Sequence, residues 1–146
     1  MAGYCTTRTG VPGGAGWIRA ARTRPEASLS NRIRIDRSAK RLTLIGPQRR
    51  WSTRVILGGA ATPTPLGTFQ VTDRLRGSRY AGVYGAWILV LSAYGSPAHD
   101  SRVAMHGMPL GARSRYYSAG CVRIPAAALR QLARRAPPGT PVRVVQ

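Results

Sequence analysis

Acidic side chains are nearly missing from this chain. Four Asp and Glu stand against 23 Lys and Arg, and Lys40 is the sole lysine. The resulting charge of +19 draws a protein toward polyanions, whether nucleic acid, acidic lipid surfaces or anionic wall polymers. The codon bias of a GC-rich genome, which exchanges Lys for Arg, accounts for the same composition, and the sequence leaves both readings open. The arginines are scattered, with the densest groups at Arg32, Arg34 and Arg37 and at Arg49, Arg50 and Arg54.

Cysteine is equally scarce. Cys5 and Cys121 lie far apart in unlike surroundings, which excludes a disulfide framework. No Cys or His pair has zinc-ligand spacing, so the expectation is no metal and no cofactor. No apolar run approaches the roughly 18 residues that span a bilayer, so no transmembrane segment is expected. The start AGYCTTRTGVPGGAG has no continuous apolar core of a signal peptide. A basic nucleic-acid module would need a recognition helix or an aromatic platform, and neither is evident, so no specific nucleic acid is expected.

Glycine and proline are plentiful, at 17 and 11, which favours strands and turns over a helical bundle. Residues 1–30 carry only Trp17, Ile18 and Leu29 as sizeable apolar groups and are expected to form a flexible tail. Folding is expected over 31–146, a length sufficient for one core. RIRID (32–36) and RLTLI (41–45) read as a hairpin, and TRVILG (53–58) as a further strand. A proline-stiffened loop, ATPTP, feeds a strand from Gly67 to Asp73. AWILVLSAY (86–94) is a central buried strand by length and β-branching, SRVAMHG (101–107) another, and TPVRVV (140–145) the closing one. One helix is predicted over about 125–135. Pro125 takes its first position, Leu129, Leu132 and Ala133 form one face, and Pro137-Pro138-Gly139 stop it. Trp87 and Tyr94 are expected in the core, and Trp17 and Trp51 in ordinary packing, with stacking on sugars as the alternative.

Chemistry concentrates in MHGMPLGARSRYYSAGCVRI, residues 105–124. His106 ends a strand, and Cys121 follows it by 15 residues, enough for a loop to fold back. A free thiol is mostly protonated at neutral pH and only a thiolate attacks a carbonyl, so an imidazole that takes the proton and later returns it makes a nucleophile. Gly120 permits unusual dihedrals and close approach. Backbone amides around residues 119–121 are candidate oxyanion donors. Arg123 offers a fixed charge for a thiolate or a bidentate fork for a substrate carboxylate. Ser118 either bonds near the site or shapes the turn. Tyr116 and Tyr117 either wall the substrate or stabilise their loop.

These residues resemble the L,D-transpeptidase (YkuD-type) family. Its members place a His-Gly near a strand end before a Ser/Thr-His-Gly-Cys-x-Arg/Asn element. ATPTPLGTFQV resembles the family's Thr-Pro-Thr-Pro-x-Gly-x-Phe segment, and the helix followed by PPGTPVRVV resembles its Gly-Thr-Pro-Val strand, in the same order along 31–146. The resemblance implies a mainly β fold, a sandwich with one short helix. It implies that Cys121 attacks a peptidoglycan tetrapeptide stem between its third and fourth residues. D-alanine leaves, a thioester forms, and an amine of a neighbouring stem resolves it as a 3→3 cross-link. His106 would be the base and acid. Gly107, Ser118, Gly120 and Arg123 would bind substrate or the oxyanion, and carbapenems would acylate the thiol. The resemblance also implies an extracytoplasmic site of action, in periplasm or cell wall.

The sequence departs from the family at Ala119, where a His is usual; His99 could fill the gap or be a plain loop residue. An L,D-carboxypeptidase would differ only in using water as acceptor. A sortase would place its histidine much further upstream, and NlpC-type and papain-like peptidases put Cys before His, the reverse of the order here. A non-catalytic basic module holding nucleic acid or wall polymer is the reading from another class.

Overall fold

A computed structural model describes residues 4–8, 15–19, 30–80, 84–94, 102–108 and 118–146, the first two stretches as main chain only. Strands β1 (Tyr4–Arg8) and β2 (Ala15–Arg19) pair antiparallel in a ribbon of their own, within the stretch expected to be a tail.

The remaining strands form one eight-stranded sheet. In chain order they are β3 (Arg32–Asp36), β4 (Arg41–Ile45), β5 (Arg50–Arg54), β6 (Gly67–Arg76), β7 (Trp87–Tyr94), β8 (Arg102–His106), β9 (Val122–Arg123) and β10 (Pro141–Val145). Their spatial order is β5-β4-β3-β10-β6-β7-β8-β9. The predicted hairpin is β3–β4, in register Ile33↔Leu44 and Ile35↔Leu42, which sends all four side chains into the core. β10 closes the centre, parallel to β3 and antiparallel to β6. Its alternation PVRVV buries Val142 and Val144 and exposes Arg143, as period-2 geometry requires.

The sheet does not end in two free edges. After β5 the chain runs across the molecule, and Ile56 bridges Arg123 while Gly58 bridges Ser118. The chain leaving β5 therefore covers the outer side of β9, so that strand does not present a free edge. Inside lie Ile33, Ile35, Leu42, Val71, Leu89, Leu91, Met105, Val122 and Ile124, each at most 1% exposed.

Helix α1 (Ala126–Arg135) lays Ala128, Leu129, Leu132 and Ala133 on this core, the apolar face read from its sequence. Arg134 and Arg135 fall in its last turn, where they complement the dipole.

Four details differ from the sequence reading. The strand expected at 53–58 is instead β5 at Arg50–Arg54, because pairing with β4 (Ile45↔Arg50, Arg41↔Arg54) outweighs the apolar run at 55–57; those residues cross to β9. Pro125 is the cap residue, extended at φ −55° and ψ 142°, and not the first helical one. Tyr94 ends β7 at 40% exposure and is not core. Trp87 packs against the core edge but is only part-buried, with the guanidinium carbons of Arg74 and Arg76 at 5.6 and 4.1 Å from its ring.

Candidate active site

His106 is the last residue of β8, and its neighbour strand β9 starts one residue after Cys121. The β8–β9 pair is parallel, with Met105 opposite Val122 and His106 opposite Arg123. Residues opposite each other in a ladder project to one face, and every second residue shares it. Met105 and Val122 are fully buried in the core, so His106 and Arg123 point the other way. Carrying the alternation back from Arg123 brings Cys121 to the His106 face. Cys121 is partly accessible and is a free thiol.

The imidazole is held firmly. It is 3% exposed, and its Nδ1–H donates to the Gly107 carbonyl at 2.7 Å. A carbonyl can only accept, so in the neutral ring Nδ1 carries the proton and Nε2 keeps the lone pair. Tyr84 meets the ring edge-to-face, 5.0 Å between centroids at 82°. The Tyr84 carbonyl also accepts the Gly107 N–H at 2.8 Å. A side chain at Gly107 would crowd this arrangement, since a Cβ there would lie 3.0 Å from Gly85 Cα and 3.1 Å from the Tyr84 oxygen. Burial pushes His106 below the ordinary histidine value of 6.5; the bond to Gly107 opposes this, and the charge of Arg123 adds to the depression.

The turn before β9 is clamped from its other side by the chain that crosses from β5. Ser118 N–H donates to Leu57 O (2.8 Å), Gly59 N–H to Ser118 O (3.2 Å) and Arg123 N–H to Ile56 O (2.9 Å). Thr64, 1% exposed, receives the Gly58 N–H and donates its hydroxyl to Gly120 O, each at 2.9 Å. Thr62 Oγ1 donates to Ser118 O at 3.4 Å. Ser118 is buried and its Oγ bonds to the Cys121 carbonyl while accepting the Gly120 N–H at 3.2 Å. Its hydroxyl is thus spent on shaping the turn. Gly120 has φ +106°, a conformation that side chains resist. With the Gly120 amide occupied, the Ala119 and Cys121 N–H groups are the donors of this turn that make no hydrogen bond among the described residues. Ala119 stands exposed between buried Ser118 and Gly120.

The structure therefore brings His106, Gly107, Ser118, Gly120, Cys121 and Arg123 to one end of the β8–β9 pair. His99, Tyr116, Tyr117 and the side chains of Cys5 and Trp17 lie outside the described residues. Tyr84, Thr62 and Thr64 were missed as site residues. The two threonines sat in plain view within ATPTP, where repeated Thr between prolines hinted at side-chain bonding in a loop that cannot use all its amides.

The fold is a mainly β sheet with one helix, with a Cys and a His at the ends of adjoining parallel strands. The chain belongs to the L,D-transpeptidase catalytic domain family (YkuD), whose model matches residues 30–144. Solved structures agree in fold. The protein Bd1075 of Bdellovibrio bacteriovorus is 18% identical with TM-score 0.64, over 80% of this chain and 48% of that one. An Enterococcus faecium L,D-transpeptidase with a cysteine-to-serine change is 18% identical at TM-score 0.62, over 80% and 50%. An L,D-transpeptidase in complex with imipenem is 20% identical at TM-score 0.58, over 80% and 59%. The chain thus spans 48–59% of the length of these three structures. No curated protein sequence matches it.

Proposed function

We propose that the domain is a cysteine L,D-transpeptidase acting on peptidoglycan stem peptides outside the cytoplasm. His106 Nε2 takes the proton of the Cys121 thiol as the sulfur adds to the carbonyl between the third and fourth stem residues. The tetrahedral oxyanion is met by the Cys121 N–H, one of the two amides left over when Gly120 bonds to Ser118. Collapse breaks the C–N bond, His106 returns its proton to the departing D-alanine amine, and a thioester remains. The side-chain amine of a second stem then attacks the thioester. His106 accepts a proton from that amine and restores it to sulfur, giving the 3→3 amide.

One observation carries this reading. Burial favours the neutral imidazole, and the Nδ1–H···O=C bond to Gly107 fixes the tautomer that keeps the lone pair on Nε2, on the face that strand alternation shares with Cys121. Arg123, paired with His106 in the ladder, would receive a substrate carboxylate on the same face.

Imipenem is a direct probe, since a β-lactam would acylate the same sulfur. Intact-mass measurement should show one adduct, lost in Cys121→Ala, and His106→Ala should remain folded with acylation slowed by about 100-fold or more. An adduct that persists in Cys121→Ala, or normal acylation in His106→Ala, would falsify the assignment. Incubation with disaccharide-tetrapeptide should release D-alanine. Cross-linked dimer among the products supports an amine acceptor, whereas tripeptide alone would make the enzyme a carboxypeptidase.

A further inference from the structure

A second site lies away from the nucleophile. Asn31, Leu44, Gln48, Arg49, Trp51 and Arg135 line a cavity of about 350 Å³ between the β4–β5 turn and the end of α1. Cys121 precedes α1, whereas this cavity touches the helix at Arg135, its last residue, so the two sites lie toward opposite ends of the helix. The cavity volume is at the lower end of small-ligand sites and suits one ring rather than a peptide.

Its construction is specific. The floor is apolar, formed by buried Leu44 and by Trp51, which packs against the core. The walls are polar. Asn31 Nδ2 donates to the Arg135 carbonyl at 2.8 Å, which ties the end of α1 to the chain entering β3. Gly46 N–H donates to Arg49 O at 2.9 Å and closes the β4–β5 turn that carries Arg49 and Gln48. Among the described residues the ion pairs are Arg34–Asp36 and Arg102–Asp73, so neither Arg49 nor Arg135 is neutralised by a carboxylate. A flat apolar surface, flanked by amide groups and two guanidinium forks, matches a pyranose ring that carries an anionic group. The ring's C–H face packs on indole, its hydroxyls meet the amides, and carboxylate or phosphate meets the arginines.

We infer that this cavity is an anionic-saccharide subsite, separate from the Cys121 centre and independent of its chemistry. A nucleotide could also pair a ring with a charge. Single-stranded nucleic acid, however, is tracked by successive stacking platforms, and among the described residues Trp51 is the one aromatic lining this cavity.

The test is a titration of 15N-labelled protein, reading the indole N–H of Trp51, assigned with Trp51→Phe. Glucuronate or glucose 6-phosphate should shift that resonance saturably, and the two arms tell a carboxylated from a phosphorylated sugar. Neutral glucose, or the double variant Arg49→Gln/Arg135→Gln, should weaken binding about tenfold or more. Trp87, which also carries two arginines on its ring but lies outside the cavity, is the internal control for diffuse attraction to a +19 surface. Equal shifts at Trp87, undiminished binding by the double variant, or tighter binding of uridine monophosphate would each overturn the inference. The titration should be the same in Cys121→Ala, so its failure leaves the catalytic reading untouched.

Discussion

A protonated imidazole inside a protein must do without most of its hydration, and His106, at 3% exposure, is in that position. Burial lowers its proton affinity first, the Gly107 carbonyl restores some of it, and Arg123 lowers it further by charge. The sign is therefore fixed. The neutral form predominates above a midpoint that lies below 6.5, and the acid limb of any reaction needing neutral His106 falls there too. The same shift bears on stability. The unfolded chain binds this proton more readily than the fold does, so the histidine's contribution is full above 6.5 and is lost as pH falls through the depressed midpoint. Replacing Arg123 by Gln removes one of the two depressing causes. The His106 midpoint should then rise, which a proton NMR titration of its ring reads directly, with the second histidine distinguished by His99→Gln. A midpoint that stays put or moves down would show that the Arg123 charge does not reach the ring.

At the scale of elements, the Cys121 turn is a guest between two hosts: β8 on one side and the crossing chain of residues 56–64 on the other. Thr64 is the joint, because one hydroxyl serves both Gly58 and Gly120. Thr64→Val keeps the shape but leaves an amide and a carbonyl without partners, a loss of about 1–3 kcal/mol. Chemical denaturation should show that loss, and imipenem acylation should slow more than the stability change alone explains. Unchanged stability together with an unchanged acylation rate would remove Thr64 from the support of Cys121.

That joint also marks where the sequence stops being legible. Alternation and apolar runs were enough to locate β3, β4, β7, β8, β10 and α1, because each buries one face and its period shows it. β5 was misplaced since Trp51 is its one large apolar residue, and its position is decided by its partner β4. β9 is two residues long and exists through pairing with β8 and Ile56, contacts that no local pattern encodes. The site followed the same division. His106 and Cys121 stood out by chemistry and spacing, whereas Tyr84 reaches His106 only through the fold, and Thr64 meets Gly120 from 56 positions away.

For the molecule as a whole, the unusual quantity is charge. Four carboxylates cannot neutralise 23 basic groups, and the two ion pairs among the described residues, Arg34–Asp36 at 3.5 Å and Arg102–Asp73 at 3.4 Å, are partly exposed to solvent. Pairs of that kind contribute little, about 0–1 kcal/mol each. Folding brings like charges closer together than in the expanded chain, so their mutual repulsion opposes the compact state. At about 10 mM salt the Debye length is near 30 Å, comparable with the domain, and the repulsion acts across all of it; at about 150 mM it is near 8 Å and reaches only neighbours. The melting temperature should therefore rise on adding sodium chloride over this range, opposite to a fold held by surface ion pairs. Sulfate, a divalent anion, should act at lower concentration than chloride, and Arg49→Gln/Arg135→Gln, which removes two positive charges, should start from a higher melting point at low salt. A melting temperature that fell with salt would mean that attraction, not repulsion, dominates this surface.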